Sequence, residues 1–306
     1  MKQTCAQLLA EFTEQCPRLQ SEKLEFTGVG NDDVYNITAP FMDDELVIAG
    51  RVEPRESERS RVVFFVARQG QWVPKPGAPT YDLQDPFVAR IRGELIFGGV
   101  EVFPHPTVEN ALHWRTRFYR GDSIKNLVPF AQGPDGMKDI RLVELPDGDI
   151  GVFTRPQGEV GGRGTIGWLR IRDFNELTPE KIQSAQLLDQ FIESEWGGVN
   201  EVHLLKGGLL GALGHIACFD DEGNRHYYPM TFALDPDTGR QVSPMKIIAA
   251  RRYLAPGAAK RPDLEDVLFS GGLVRQDHDT ATLYVGVSDA EAHRVMIPDP
   301  FQEYEV

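Results

Sequence analysis

Short runs rich in β-branched and aromatic residues recur along the chain, each ended by a tight polar turn. They predict strands over 34–38, 45–51, 61–67, 87–91, 94–100, 140–145, 150–154, 202–205, 209–216, 228–233, 267–275 and 282–287. The intervening Met42-Asp43-Asp44, Arg92-Gly93, Pro146-Asp147-Gly148-Asp149, Lys206-Gly207-Gly208 and Asp277-His278-Asp279 are turns of the hairpin kind. Helical patterning is confined to two places. The N-terminus presents Leu8, Leu9 and Phe12 on one face, and at 178–188 Thr178 is placed to cap with Pro179 in the first turn. The chain is therefore nearly all β.

A long all-β chain must dispose of its sheet edges, and radial repetition does so. Paired runs of the form strand, short turn, strand begin at Ile37, Val88, Ile140, Val202 and Val267. Their spacing, roughly 50 to 65 residues, is that of a blade of four strands. The expected architecture is a single domain, 1–306, folded as a five-bladed β-propeller with a short N-terminal helix.

Composition narrows the partners. Of 306 residues, 41% are apolar and 25% charged, as in ordinary soluble domains. A formal net charge of -14 argues against nucleic acid, whose phosphates recruit basic surfaces. It leaves room for a small anion, because a few converging arginines outweigh the mean field locally. Cys5, Cys16 and Cys218 show no metal-ligand spacing and read as free thiols of a reducing compartment. Residues 1–15 lack the apolar stretch of a signal peptide, and the longest apolar run elsewhere, 62–67, is far too short for a membrane span. A cytoplasmic protein without membrane contact is expected.

Polar residues cluster at corresponding points of the predicted units. Asn36 and Pro40 precede the first hairpin, and Arg51-Val52-Glu53-Pro54-Arg55 closes it. Gln84-Asp85-Pro86-Phe87 opens the second unit, and Lys138-Asp139 and Arg155-Pro156 bracket the third. Trp196 to Glu201 and Gly214-His215 bracket the fourth, and Gly286-Val287-Ser288-Asp289 ends the fifth. In order and spacing this constellation resembles glycoside hydrolase family 130, the inverting phosphorylases and hydrolases of β-mannosides, over about residues 36 to 290. The stretches RVEPRESE, WRTRFYRG, GPDGMKDIRLVEL and EWGGVNEVHLL look more closely like glycosyltransferase family 108, mannosyltransferases and phosphorylases of β-1,2-mannan. The resemblance implies phosphorolysis or synthesis of β-mannosides with inversion, with mannose-containing oligosaccharide, inorganic phosphate or sugar phosphate, and a nucleotide sugar as partners and no cofactor or metal.

Inverting cleavage needs an acid for the leaving oxygen and a nucleophile on the opposite face; phosphate is itself nucleophilic and requires only cationic positioning. The resemblance makes Asp85 the acid, acting through a hydroxyl of the mannose. Alone, an Asp before proline is also a common turn device. Arg115, Lys138, Arg155 and His215 are the candidate phosphate cradle, and Asn36, Arg51, Glu53, Asp139, Glu201 and Asp289 the sugar-binding set. Arg51 and Glu53 read equally as an ion pair bracing the blade. Two departures from family 130, Phe87 where Arg is usual after Asp-Pro and Asp139 where Asn is usual after Lys, favour the transferase family.

Competing motifs lack context. Gly28-Val29-Gly30 leads into a strand rather than a phosphate-binding helix, and Ser288 in Gly-Val-Ser-Asp has only His293 after it. Two further classes stay open: an inverting hydrolase, for which Glu201 is the best base, and a carbohydrate-binding propeller without catalysis.

Overall fold

The computed structural model describes residues 2–15, 19–277 and 279–305; Cys16 and His278 lie outside them. Five separate antiparallel sheets follow one another along the chain, one per blade. The first is built from Asp33–Tyr35, Leu46–Glu53, Arg61–Arg68 and Gln71–Pro74, and the second from Gln84–Ile91, Glu94–Pro104, Leu112–Gly121 and Val128–Gln132. Arg141–Glu144, Ile150–Thr154, Ile166–Ile171 and Gln186–Leu188 form the third. Trp196–Leu204, Leu210–Phe219, Arg225–Asp235 and Arg240–Gln241 form the fourth, and Leu268–Arg275, Thr280–Val287 and Glu291–Pro298 the fifth.

The last blade takes its outer strand from the other end of the chain. Gln20–Lys23 pairs antiparallel with Glu291–Pro298, Gln20 opposite Met296 and Lys23 opposite His293. The fifth sheet is thus completed by a strand from the other end of the chain, which closes the ring non-covalently.

The core is divided in the same way. Val47, Phe64 and Val66 of the first blade pack against Leu95 and Phe97 of the second. Ile96 and Phe118 of the second meet Ile140, Val152 and Ile171 of the third. Phe153 and Trp168 then meet Leu210 and Phe232 of the fourth, Leu213 meets Leu283 and Val285 of the fifth, and Tyr284 returns to Ile37 and Phe65 of the first. Each blade is thus held by apolar side chains on both of its faces. Burial of one such aliphatic or aromatic side chain contributes about 1.5–3 kcal/mol.

Two sequence expectations need correction. The helix expected over 178–188 is a single turn, Pro179–Gln183. Thr178 caps it as expected, accepting from Lys181 N–H at 3.3 Å, and the chain then returns to extended form as the outer strand Gln186–Leu188. Leu112–Gly121, Ile166–Ile171 and Glu291–Pro298 were not foreseen as strands; arginine and histidine interrupt their apolar alternation. The N-terminal helix, Cys5–Gln15, buries Cys5 and Leu8 against the fourth blade and sets Phe12 edge-on to Tyr253. No helix among the described residues is long and apolar enough to cross a membrane.

Candidate active site

Three of the channel-facing strands carry a register shift: between Gln84 and Phe87, between Val199 and Glu201, and between Ser270 and Gly272. Such bulges re-aim one side chain without ending the strand. At the corresponding level Asn36, Asp85, Asp139 and Asp289 all have left-handed backbones, with φ of 45°, 46°, 58° and 50°. Non-glycine residues rarely take this conformation and do so mainly where surrounding structure imposes it. Asn and Asp tolerate it best, which explains why these residue types stand at the blade ends.

The result is a cavity of about 220 Å³ lined by Asn36, Arg51, Asp85, Lys138, Asp139, Arg155, His215 and Asp289, with Arg225, Tyr227, Arg261 and Phe269 also on its walls. Residues from all five blades meet there. A roomier cavity of about 620 Å³, against Leu8, Phe12 and Ile297, brings together none of the sequence-predicted site residues.

On one wall Asp85 is held by two donors. Its Oδ1 accepts from Asn36 Nδ2 at 2.7 Å and from Arg51 Nη1 at 3.2 Å. Asn36 can approach because Gly286 faces it; a Cβ there would lie 2.0 Å from Asn36 Oδ1. Glu53 does not line the cavity but stands behind it. Its carboxylate accepts from Arg51 Nη2 at 2.7 Å and Tyr35 OH at 2.7 Å, and also from Ser60 and Lys260. Burial pushes the Glu53 carboxyl up, yet Arg51, Lys260 and Ser60 outweigh it and hold the group below the usual carboxylate range. The bracing role of Glu53 is therefore the one seen. Asp289 lines the same cavity; burial raises its pKa, with Arg51 opposing and Asp85 adding to the rise.

The other wall is cationic. Arg155 is almost wholly buried, donating from Nε to Gly197 O at 2.7 Å, while its Nη1 is sealed from solvent without a partner. It fits because Gly198 has no side chain: a Cβ there would come within 2.6 Å of Arg155 Cδ and 3.2 Å of His215 Cε1. Asp139 lies between two guanidiniums, 3.6 Å from Arg155 Nε and 3.7 Å from Arg141 Nη2. Burial raises its pKa, but Arg155, Lys138 and Arg141 together hold it below the ordinary value. Asp139 thus leaves this wall with three cations against one carboxylate. His215 is stacked on Tyr227 at 5.4 Å and packed on Phe269 at 5.3 Å, and burial drives its pKa down to about 3. It is neutral at physiological pH.

Besides Glu53, two residues of the sequence expectation fall outside the cavity. Arg115 does not line the cavity; it donates to Glu101 at 2.6 Å and to Asp135 at 3.3 Å and lies over the Phe103 ring. Glu201 is likewise outside. The bulge before it turns its carboxylate to the neighbouring blade, where it accepts from Leu273 N–H at 2.6 Å; it also contacts His203 Nε2 on its own strand at 2.8 Å. Sequence reasoning missed Arg141, Asn200 and Tyr227. Arg141 is buried, with its guanidinium 4.3 Å above the Phe87 ring, so the residue that departs from family 130 seats a cation of its own. The cation next to Ile140 in the strand-like run Ile140 to Leu145, which Glu144 also interrupts, was the available signal.

The chain is similar over its length to proteins of known structure. A mannose phosphorylase from Leishmania mexicana, solved in complex with phosphate ion, is 36% identical over 98% of this chain and 95% of that one, with a TM-score of 0.89. A GDP-Man-dependent mannosyltransferase from the same organism is 32% identical over 99% and 96%, also with a TM-score of 0.89. A curated 4-O-beta-D-mannosyl-D-glucose phosphorylase from Bacteroides fragilis is 31% identical over 157 residues, which is 49% of this chain and 39% of that protein. The family described as protein of unknown function DUF1861 matches residues 11–303, and the chain belongs to it.

Proposed function

We propose that this protein is an enzyme that transfers mannosyl groups, cleaving and forming β-mannosides, β-1,2-linked ones foremost, with phosphate as the exchange partner and with inversion at the anomeric carbon. The observation that carries this reading is the pair of opposed walls. Arg155 keeps a buried donor without a partner, and Lys138 and Asp85, the latter fixed by Arg51 and Asn36, line the same cavity. A buried unpaired guanidinium donor is costly unless an anion takes it. The likeness to a phosphorylase solved with phosphate supports the same assignment.

In phosphorolysis a phosphate oxygen forms a bond to the anomeric carbon as the bond to the bridging oxygen breaks. The leaving oxygen receives a proton delivered from Asp85 through a hydroxyl of the mannose, and the proton of hydrogen phosphate restores the balance. Products are a mannosyl phosphate and a shortened saccharide. In synthesis the same path runs backwards, and Asp85 draws the proton from the acceptor hydroxyl. A nucleoside diphosphate in place of phosphate would extend the donor range, in keeping with the GDP-Man-dependent relative.

A hydrolase would need a second carboxylate to activate water. Glu201, the candidate for that role, is engaged by Leu273 and His203 outside the cavity. Incubation with β-1,2-mannobiose, with and without phosphate, tests the reading. Mannose 1-phosphate and mannose are expected only with phosphate. Free mannose in its absence identifies a hydrolase, and no turnover in either direction, including synthesis from mannose 1-phosphate or GDP-mannose, overturns the proposal.

A further inference from the structure

Asn200 occupies the bulge of the fourth blade, beneath His215, and is buried. Its Oδ1 atom stands 2.9 Å from His215 Nδ1 and 2.9 Å from Ser270 Oγ, while its Nδ2 is sealed from solvent with no partner. Ser270 Oγ also lies 2.7 Å from the carbonyl oxygen of Gly214. A hydroxyl has one proton to give, and a carbonyl can only accept. The shorter contact therefore takes the Ser270 proton to Gly214, leaving the Ser270 oxygen as an acceptor toward Asn200.

A half-turn of the amide exchanges its oxygen and nitrogen at nearly unchanged shape. Turned this way, both N–H groups of Asn200 are used, one by Ser270 Oγ and the other by His215 Nδ1. The unturned amide buries two idle N–H donors; the turned one leaves a single carbonyl oxygen idle, which is the cheaper outcome. The imidazole then accepts at Nδ1, and its proton sits on Nε2.

We propose that Asn200 is a positioning residue that donates to His215 Nδ1 and so fixes the neutral imidazole as the Nε2–H tautomer, aiming an N–H donor into the cavity at a phosphate oxygen. The ring needs no net charge to serve the anion, because Arg155 and Lys138 supply it. Asp139 pulls toward protonation of the ring, whereas burial, Arg155, Lys138 and Arg141 oppose it, so the ring stays neutral across the physiological range. Tyr227 and Phe269 close its two faces. The inference rests on the reading of this wall as the phosphate site, but the tautomer can be measured without it.

Long-range proton–nitrogen NMR of protein labelled with ¹⁵N-histidine, at neutral pH, reads the tautomer directly, with His215 identified by the signal lost in His215→Gln. An unprotonated Nδ1 and a protonated Nε2 are expected; the reverse pattern, or two protonated nitrogens, overturns the proposal. Asn200→Asp supplies the functional arm. A carboxylate can only accept, so it forces the neutral ring to the Nδ1–H form and turns a lone pair toward phosphate. The phosphate KM should then rise roughly ten- to a hundredfold at neutral and higher pH. It should recover as pH falls and the ring gains a second proton, while kcat at saturating phosphate changes far less. A wild-type phosphate KM in Asn200→Asp at every pH would overturn the role of Asn200. Should that variant not fold, the wild-type spectrum alone decides. An unchanged phosphate KM in His215→Gln would instead sink the phosphate site while leaving the tautomer measurement standing.

Discussion

The two walls of the cavity are built on opposite electrostatic plans. On the wall of Asp85 every strong donor is already engaged: Arg51 is divided between Asp85 and Glu53, and Asn36 donates to Asp85. On the wall of Arg155 the donors exceed the acceptors. Arg155 Nη1 has no partner, and Lys138 makes no ion pair among the described residues. A saturated wall holds one side chain in one geometry, as a proton-transferring group requires. An unsaturated wall keeps capacity for a ligand that brings its own oxygens. In the proposed function the saturated wall handles the proton and the unsaturated wall the anion.

The largest expected effect breaks the saturated wall at its centre. Asp85→Asn keeps shape and part of the hydrogen bonding but removes the transferable proton, so turnover of an unactivated mannoside should fall about 10²–10⁴-fold. Binding should change little, and a substrate whose leaving group needs no proton should be largely rescued. Near-normal turnover on the unactivated substrate would move the acid role to another residue, with Asp289 next to examine.

Behind that wall, Glu53→Ala would leave Arg51 and Lys260 buried without their shared carboxylate. Removing one partner of a buried ion pair costs about 3–5 kcal/mol, much of it from the stranded charge. Denaturant unfolding should show a loss of that order. A loss within the scatter of ordinary surface substitutions would mean that Asp85 and Glu58 suffice to hold Arg51 and Lys260.

On the unsaturated wall, Arg155→Ala removes one charge-assisted donor, and the phosphate KM should rise roughly ten- to a hundredfold. The saccharide KM should move much less, since Asp85, Asn36 and Arg51 are untouched. Equal loss toward both substrates would show that Arg155 shapes the cavity as a whole and does not serve phosphate in particular.

The same contrast explains what could be read from sequence. Asp85, Lys138, Asp139, Arg155 and His215 were legible because each stands at the end of a predicted strand, and a propeller brings those ends to one mouth. Glu201 was misplaced for a definite reason. Side chains alternate along a strand, and the bulge between Val199 and Glu201 reverses that alternation by one residue. The choice fell on the charged neighbour, whereas Asn200 is the one held under His215. Closure of the ring by Gln20–Lys23 was not legible either, because four polar residues carry no strand pattern without their partner Glu291–Pro298.

Asp289 supplies a smaller effect. Burial raises its pKa, so the folded state holds the proton to higher pH than the unfolded chain does. Its contribution is fully present below the ordinary carboxylate range and is lost as pH rises through the raised value. At neutral pH the ionised group opposes folding. Asp289→Asn should therefore raise the melting temperature there, by about 2–4 °C for each kcal/mol relieved, and the difference should shrink toward low pH. A melting temperature lowered at neutral pH would show that Arg51 and Lys260 stabilise the ionised form.

The smallest expected effect is the one that separates placement from sequence pattern. Arg115 and Lys138 were both candidates for the anion cradle. Arg115 lies in register opposite Glu101 on the neighbouring strand, pairs with it and with Asp135, and covers Phe103. Its charge is neutralised before any ligand arrives, and it does not face the cavity. Partly exposed pairs of this kind contribute about 0–1 kcal/mol. Arg115→Ala should therefore cost a fraction of a kcal/mol in stability and leave the phosphate KM unchanged, whereas Lys138→Ala should raise it about tenfold through loss of one charge-assisted contact. Measured side by side at one ionic strength, the two variants carry the same change in net charge, so a general field effect cancels and only position remains. A phosphate KM raised equally in both would mean that the anion answers to the summed charge of the mouth and not to the Arg155–Lys138 wall.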